Sequence, residues 1–173
     1  MTCTGGEPLE QGNFLFELLK ECRSRGIHTA VETSAYADEK PFRELLESID
    51  WLFIDIKHMD PQRLLELAGR GNDLILKNVR VASRVLKARG KDLVIRQVVV
   101  PGMTDGRNIA DLADFVAALP FVTGVELLAY HSYGAQKYDL LGIPYGLKNL
   151  KPPTKEEMED YKALLRGKGL TVM

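Results

Sequence analysis

Cysteine is scarce in this sequence. Cys3 and Cys22 are the only two in 173 residues, with eighteen residues between them. Such a pair gives no disulfide framework and no metal-ligand spacing. Cys22 lies at helical spacing with Phe14, Leu15, Leu18 and Leu19 and reads as core. An excess of one charge is also missing: 23 Lys and Arg face 24 Asp and Glu, for a net charge of −1. That balance leaves no electrostatic footprint for nucleic acid or an acidic membrane. No apolar stretch approaches the length of a membrane span, and no charged-then-apolar leader stands at the front, which points to the cytoplasm. Repeats and low-complexity tracts are absent too. What remains is ordinary: 45% apolar, 27% charged, and a length that makes a single domain, 1–173, with a sizeable core.

What the sequence does contain is an alternation of strand and helix patterns. Residues 11–25 read as a helix with Phe14, Leu15, Leu18, Leu19 and Cys22 on one stripe, closed by Gly26 in the position that suits a left-handed cap. A short strand follows at 27–33, a helix at 39–48, and a second strand at 51–57 (WLFIDIK). Asp60-Pro61 is a helix start, an acid at the cap and proline at the first helical position. Helices are expected at 61–69 and 72–89, then the β-branched strand 93–100 (LVIRQVVV). Ile109, Leu112, Ala113 and Val116 mark another helix, and 124–130 another strand. A long connection over 131–153 precedes Thr154-Lys-Glu-Glu157, a capping-box signature, and 170–173 reads as a final strand cut short. The alternation predicts an α/β fold with a parallel sheet. The pattern alone leaves a partial barrel and a doubly wound sheet both open.

In parallel α/β folds ligands sit at the carboxyl ends of the strands. Here those ends carry Gly5-Gly6-Glu7-Pro8, Glu32-Thr33-Ser34, Asp55-Ile56-Lys57-His58, Pro101-Gly102 and Tyr130-His131. Asp55 and Lys57 are two apart on a strand, so they share a face with Phe53, while Leu52, Ile54 and Ile56 turn toward helices. A carboxylate and an ammonium placed there pair with each other or with a ligand. Arg96, inside an apolar strand, is either a snorkelling residue or an anion-holding one, with Glu126 on the next strand as its candidate partner.

Taken together these segments look familiar. Thr4-Gly5-Gly6-Glu7-Pro8-Leu9 resembles the Gly-Gly-Glu-Pro segment of radical S-adenosylmethionine enzymes. The stretches GIHTAVETSAY (26–36), FIDIKHMDP (53–61), IRQVVVPGMTD (95–105) and LLAYHSYGAQKYDLLG (127–142) resemble the glycyl-radical-enzyme activating enzymes, above all those serving pyruvate formate-lyase. The likeness runs from residue 1 to about 170. It implies chemistry in which S-adenosylmethionine is cleaved reductively on a [4Fe-4S] cluster, and the 5′-deoxyadenosyl radical takes a hydrogen atom from a glycine of a partner enzyme. It also implies roles. Gly5, Gly6 and Glu7 match the segment that holds the methionine amino group, where glycines admit close backbone approach. Asp55 and Lys57 match a cofactor-contacting Asp-x-Lys, and His131 matches a histidine near the adenosine. Glu32, Thr33 and Asp55 match positions that help hold a monovalent cation beside the methionine carboxylate. The 131–153 connection matches a partner-peptide or gating surface.

One departure is large. The family's cluster is held by Cys-x-x-x-Cys-x-x-Cys, and these 173 residues contain no such run. In the family that motif precedes the Gly-Gly-Glu-Pro strand. The resemblance therefore implies the C-terminal portion of a partial (βα)6-type TIM-like barrel missing its first βα unit, inactive alone. The cluster, and a reductant such as flavodoxin or ferredoxin, would belong to the full-length parent. The expected partner is a glycyl radical enzyme of the pyruvate formate-lyase type, not nucleic acid or membrane. The alternatives are another radical S-adenosylmethionine maturase and a degenerate, cluster-free protein-binding module. An N-terminal strand without its neighbour is an open edge, so dimerisation through it is expected.

Overall fold

A computed structural model describes all of residues 1–173. Strands β1 (Thr2–Cys3), β2 (Ala30–Thr33), β3 (Trp51–Asp55), β4 (Asp92–Val99) and β5 (Gly124–Ala129) form one parallel sheet in the order β1-β2-β3-β4-β5. Helices α1 (Gly12–Ser24), α2 (Glu39–Ser48), α3 (Pro61–Ala68), α4 (Asp73–Arg89), α5 (Arg107–Ala117), α6 (Ala135–Leu140) and α7 (Lys155–Gly167) lie between and after the strands. The strands follow one another in chain order. The reversal that defines a doubly wound sheet is absent. No helix is long and apolar enough to cross a membrane.

The core is a single cluster of 28 buried residues. Its lining follows from the strand period: Leu52, Ile54 and Ile56 are buried, as are Leu93, Ile95 and Val99, while the intervening residues face the other side. Facing helices supply Leu15 and Leu19 from α1, Phe42, Leu45 and Leu46 from α2, and Ile109, Leu112, Ala113 and Val116 from α5. The caps read from sequence hold. Asp60 accepts from the Arg63 N–H at 2.9 Å with Pro61 beside it, and Thr154 and Glu157 form a reciprocal capping box. Gly26 has a φ of +67°, the left-handed turn expected after α1.

Four elements depart from expectation. Phe14 is 67% exposed rather than core, because it sits about 100° round the helix from the Leu15–Leu19–Cys22 stripe that meets the sheet. The strand expected from 27 begins at Ala30, since Thr29 donates its N–H to the Asp50 carboxylate (2.9 Å) instead of to a neighbouring strand. The 131–153 connection is not plain loop: it contains a 3-10 turn (Ser132–Gly134) and α6. At the C-terminus the expected short strand is reduced to one parallel bridge, Val172 to Val125, on the far side of β5. The opposite edge, β1, is paired on one side only.

Candidate functional site

The turn after β1 is built by two glycines and one carboxylate. Gly5 and Gly6 have φ of +92° and +46°, and nothing stands within 4 Å of where a Cβ would be on either. A side chain would strain the backbone and fill open space next to the sheet. Glu7 is not free. It accepts from the Thr33 hydroxyl (2.6 Å), the Ser34 N–H (2.9 Å) and the Ser34 hydroxyl (2.5 Å), all at the end of β2. It also accepts from the Leu9 N–H at 3.4 Å as the cap of the 3-10 turn Pro8–Gln11. Its carboxylate therefore staples the glycine turn to the neighbouring strand end, and the turn's own backbone is left to face outward.

Beside this staple runs a chain of charged groups across four strands. The Thr4 hydroxyl donates to Glu32 Oε2 at 2.9 Å. The Arg96 guanidinium donates to the same Glu32 oxygen at 3.0 Å and, through Nε, to Asp55 Oδ1 at 2.8 Å. Lys57 Nζ donates to Asp55 Oδ2 at 3.1 Å. Register explains the reach: Asp55 lies beside Arg96, Glu32 lies beside Phe53, and the guanidinium crosses the Phe53 ring 5.4 Å from its centroid. The two carboxylates and two cations cancel in charge. Hydrogen bonding from Arg96, with help from Thr4, holds the Glu32 carboxyl below its ordinary value against the opposing effect of burial. Burial works against the charge on Arg96, but its bonds to Glu32 and Asp55 outweigh this and raise it above the ordinary arginine value. Glu126 is not its partner. Although Glu126 is in register with Arg96, the guanidinium turns to the side where two carboxylates await it.

The structure thus brings Gly5, Gly6, Glu7, Glu32, Asp55 and Lys57 to one end of the sheet. Thr33 is there too, but buried, with its hydroxyl committed to Glu7. His131 stands at the end of β5, exposed, its ring 4.4 Å from that of Tyr133 and outside the charged chain. A buried polar scaffold lies under Lys57. Gln97 donates to the Lys57 carbonyl (3.0 Å), Asn108 accepts from the Met59 N–H (2.8 Å), and Asn72 donates to the carbonyls of His58 (3.1 Å) and Met59 (2.5 Å). Sequence reasoning did not single out Gln97, Asn72 or Asn108. Their only signal was a polar residue in an otherwise apolar strand or at a helix start.

These residues do not fit an iron–sulfur cluster. Cys3 is half-buried on β1, Cys22 is buried on the inner face of α1, and nowhere do three His, Cys, Asp or Glu side chains gather as a metal set.

The family model for the Radical SAM superfamily, where SAM is S-adenosylmethionine, matches residues 1–116. The chain belongs to this superfamily. Its homologues within it are activating enzymes. It is 38% identical over 167 residues to the pyruvate formate-lyase-activating enzyme of Staphylococcus epidermidis, covering 92% of this chain and 65% of that protein. It is 36% identical over 172 residues to the 4-hydroxyphenylacetate decarboxylase activating enzyme of Clostridioides difficile, covering 98% of this chain and 53% of that one. The crystal structure of a domain of pyruvate-formate lyase-activating enzyme from Bacteroides vulgatus superposes with a TM-score of 0.81 at 30% identity, covering 100% of this chain and 96% of that domain. The chain spans about half to two thirds of the length of the curated relatives it matches.

Proposed function

We propose that these residues form the S-adenosylmethionine-holding part of a glycyl-radical-enzyme activating enzyme, within a single (βα)6-type TIM-like partial barrel. The observation that carries this is the convergence at one sheet end of the stapled Gly5-Gly6 turn and the Thr4–Glu32–Arg96–Asp55–Lys57 chain. The open backbone of Gly5 and Gly6 offers carbonyls to an ammonium, as the methionine end of the cofactor presents. Asp55 and Lys57 offer an acceptor and a donor for its polar groups. His131, on the same side of the sheet, is placed for the adenosine end. For the whole protein the proposed reaction is removal of a hydrogen atom from a glycine of a partner such as pyruvate formate-lyase, with a flavodoxin or ferredoxin as reductant. The α6 region is the proposed partner-facing surface. Leu140 and Leu141 are 87% and 71% exposed there, and the segment is held down by Tyr130 and Tyr145, whose hydroxyls bond at 2.6 Å.

No three thiolates converge within these residues, so the 173 residues are proposed to be inactive alone. Anaerobic reconstitution with iron and sulfide should give no cluster absorbance on this chain; a stable cluster with cofactor turnover would contradict the reading. The site itself is tested by calorimetric titration with S-adenosylmethionine. Weak, saturable binding is expected, and Gly6→Val or Asp55→Asn should weaken it about tenfold, the scale of one lost hydrogen bond. Binding that both variants leave intact would place the cofactor elsewhere.

A further inference from the structure

The resemblance implies a monovalent cation held by Glu32, Thr33 and Asp55, and the geometry of those residues does not fit one. Glu32 and Asp55 have four carboxylate oxygens between them. Asp55 Oδ1 is taken by Arg96 Nε (2.8 Å), Asp55 Oδ2 by Lys57 Nζ (3.1 Å), and Glu32 Oε2 by both Arg96 (3.0 Å) and Thr4 (2.9 Å). Only Glu32 Oε1 has no protein partner. The Thr33 hydroxyl donates to Glu7 and lies on the other face of β2 from Glu32. A sodium or potassium ion needs several oxygens converging on one point, and a guanidinium already bridges the two that face each other.

We infer that Arg96 occupies the cation's place: in this protein the fixed positive charge between Glu32 and Asp55 is a side chain rather than a bound alkali ion. Three observations support it. The Arg96 side chain is 14% exposed, and its guanidinium delivers separate donors to the two carboxylates, as its planar fork allows. Its position is fixed from below by the Phe53 ring. With Lys57 added, the two acids are already neutralised, so an alkali ion would bring an uncompensated charge to within contact of a guanidinium. Arg96 is then a positioning residue that keeps Glu32 and Asp55 at one spacing whatever the salt.

The inference rests on the proposed cofactor site only for the expectation that a cation is wanted there, and its test uses the unliganded chain. Thermal unfolding is compared in potassium, sodium and tetramethylammonium chloride at equal ionic strength, the last ion being too large to enter a carboxylate pair. The wild-type midpoint should be the same in all three. Arg96→Gln should acquire a saturable stabilisation in potassium or sodium over tetramethylammonium, and adding Glu32→Gln should abolish it. A saturable, alkali-specific shift in the wild type that Glu32→Gln or Asp55→Asn removes would overturn the inference. So would an Arg96→Gln chain that folds and shows no cation response. Thallium-205 NMR of the wild type gives a reading that needs no variant: no saturable binding is expected, and saturable binding that potassium competes away contradicts the inference.

Discussion

At the scale of single residues, the site is organised by side chains whose work is positional. Glu7 is the clearest. Glu7→Gln keeps the shape but replaces a charged acceptor by an amide that meets four donors with one oxygen, so a loss of about 1–3 kcal/mol in urea unfolding is expected. A second carboxylate gives a pH prediction. At the amino ends of the strands Asp50 resists burial by pairing with Lys91 (2.6 Å) and accepting from the Thr29 N–H, and its carboxyl is lowered to about 2. A carboxyl depressed on folding stabilises above its unfolded value near 3.8 and loses that stabilisation as pH falls toward about 2. Discounted for its partial exposure, the contribution is about 1 kcal/mol. Wild type should therefore lose stability between those pH values by urea titration, and Asp50→Asn should flatten that part of the profile. The residues read from sequence were the ones whose type is unusual for a strand end: Gly5, Gly6, Glu32, Asp55 and Lys57. Which carboxylate Arg96 would choose was not legible. Strand neighbours put Asp55 and Glu126 equally beside it, and only the three-dimensional crossing over Phe53 to Glu32 decides the matter.

At the scale of elements, local signals sufficed wherever a cap or a period was strong. The helices expected at 39–48 and 61–69, with the Asp60 and Thr154 caps, follow directly from residue type, the second ending at Ala68 with Gly69 as its cap. The misreadings have physical causes. Phe14 is apolar but adjacent to, not on, the buried stripe of α1, and α6 is too short for a period to show. Two variants separate core from surface. Phe42→Ala in α2 removes a fully buried ring and should cost about 3–5 kcal/mol by urea unfolding. Leu140→Ser with Leu141→Ser, at the exposed end of α6, should change stability by less than about 0.5 kcal/mol. At the proposed partner surface, the same pair should weaken binding of pyruvate formate-lyase in a pull-down.

At the scale of the whole molecule, the parallel pairing of all five strands puts every strand's carboxyl end on one side, and that arrangement gathers scattered polar residues into one candidate site. It also leaves β1, two residues long, paired only to β2. An open strand edge pairs with what it meets, so light scattering should show dimers or larger species at high concentration; a clean monomer would count against this. In the proposed site the glycine turn and the charged chain hold the methionine end of S-adenosylmethionine. Saturation-transfer NMR on the cofactor with the unmodified chain tests this directly. Transfer strongest at the methionine and ribose protons, reduced when Lys57 is changed to Ala, is the predicted result. Transfer confined to the adenine, or none at all, would contradict it.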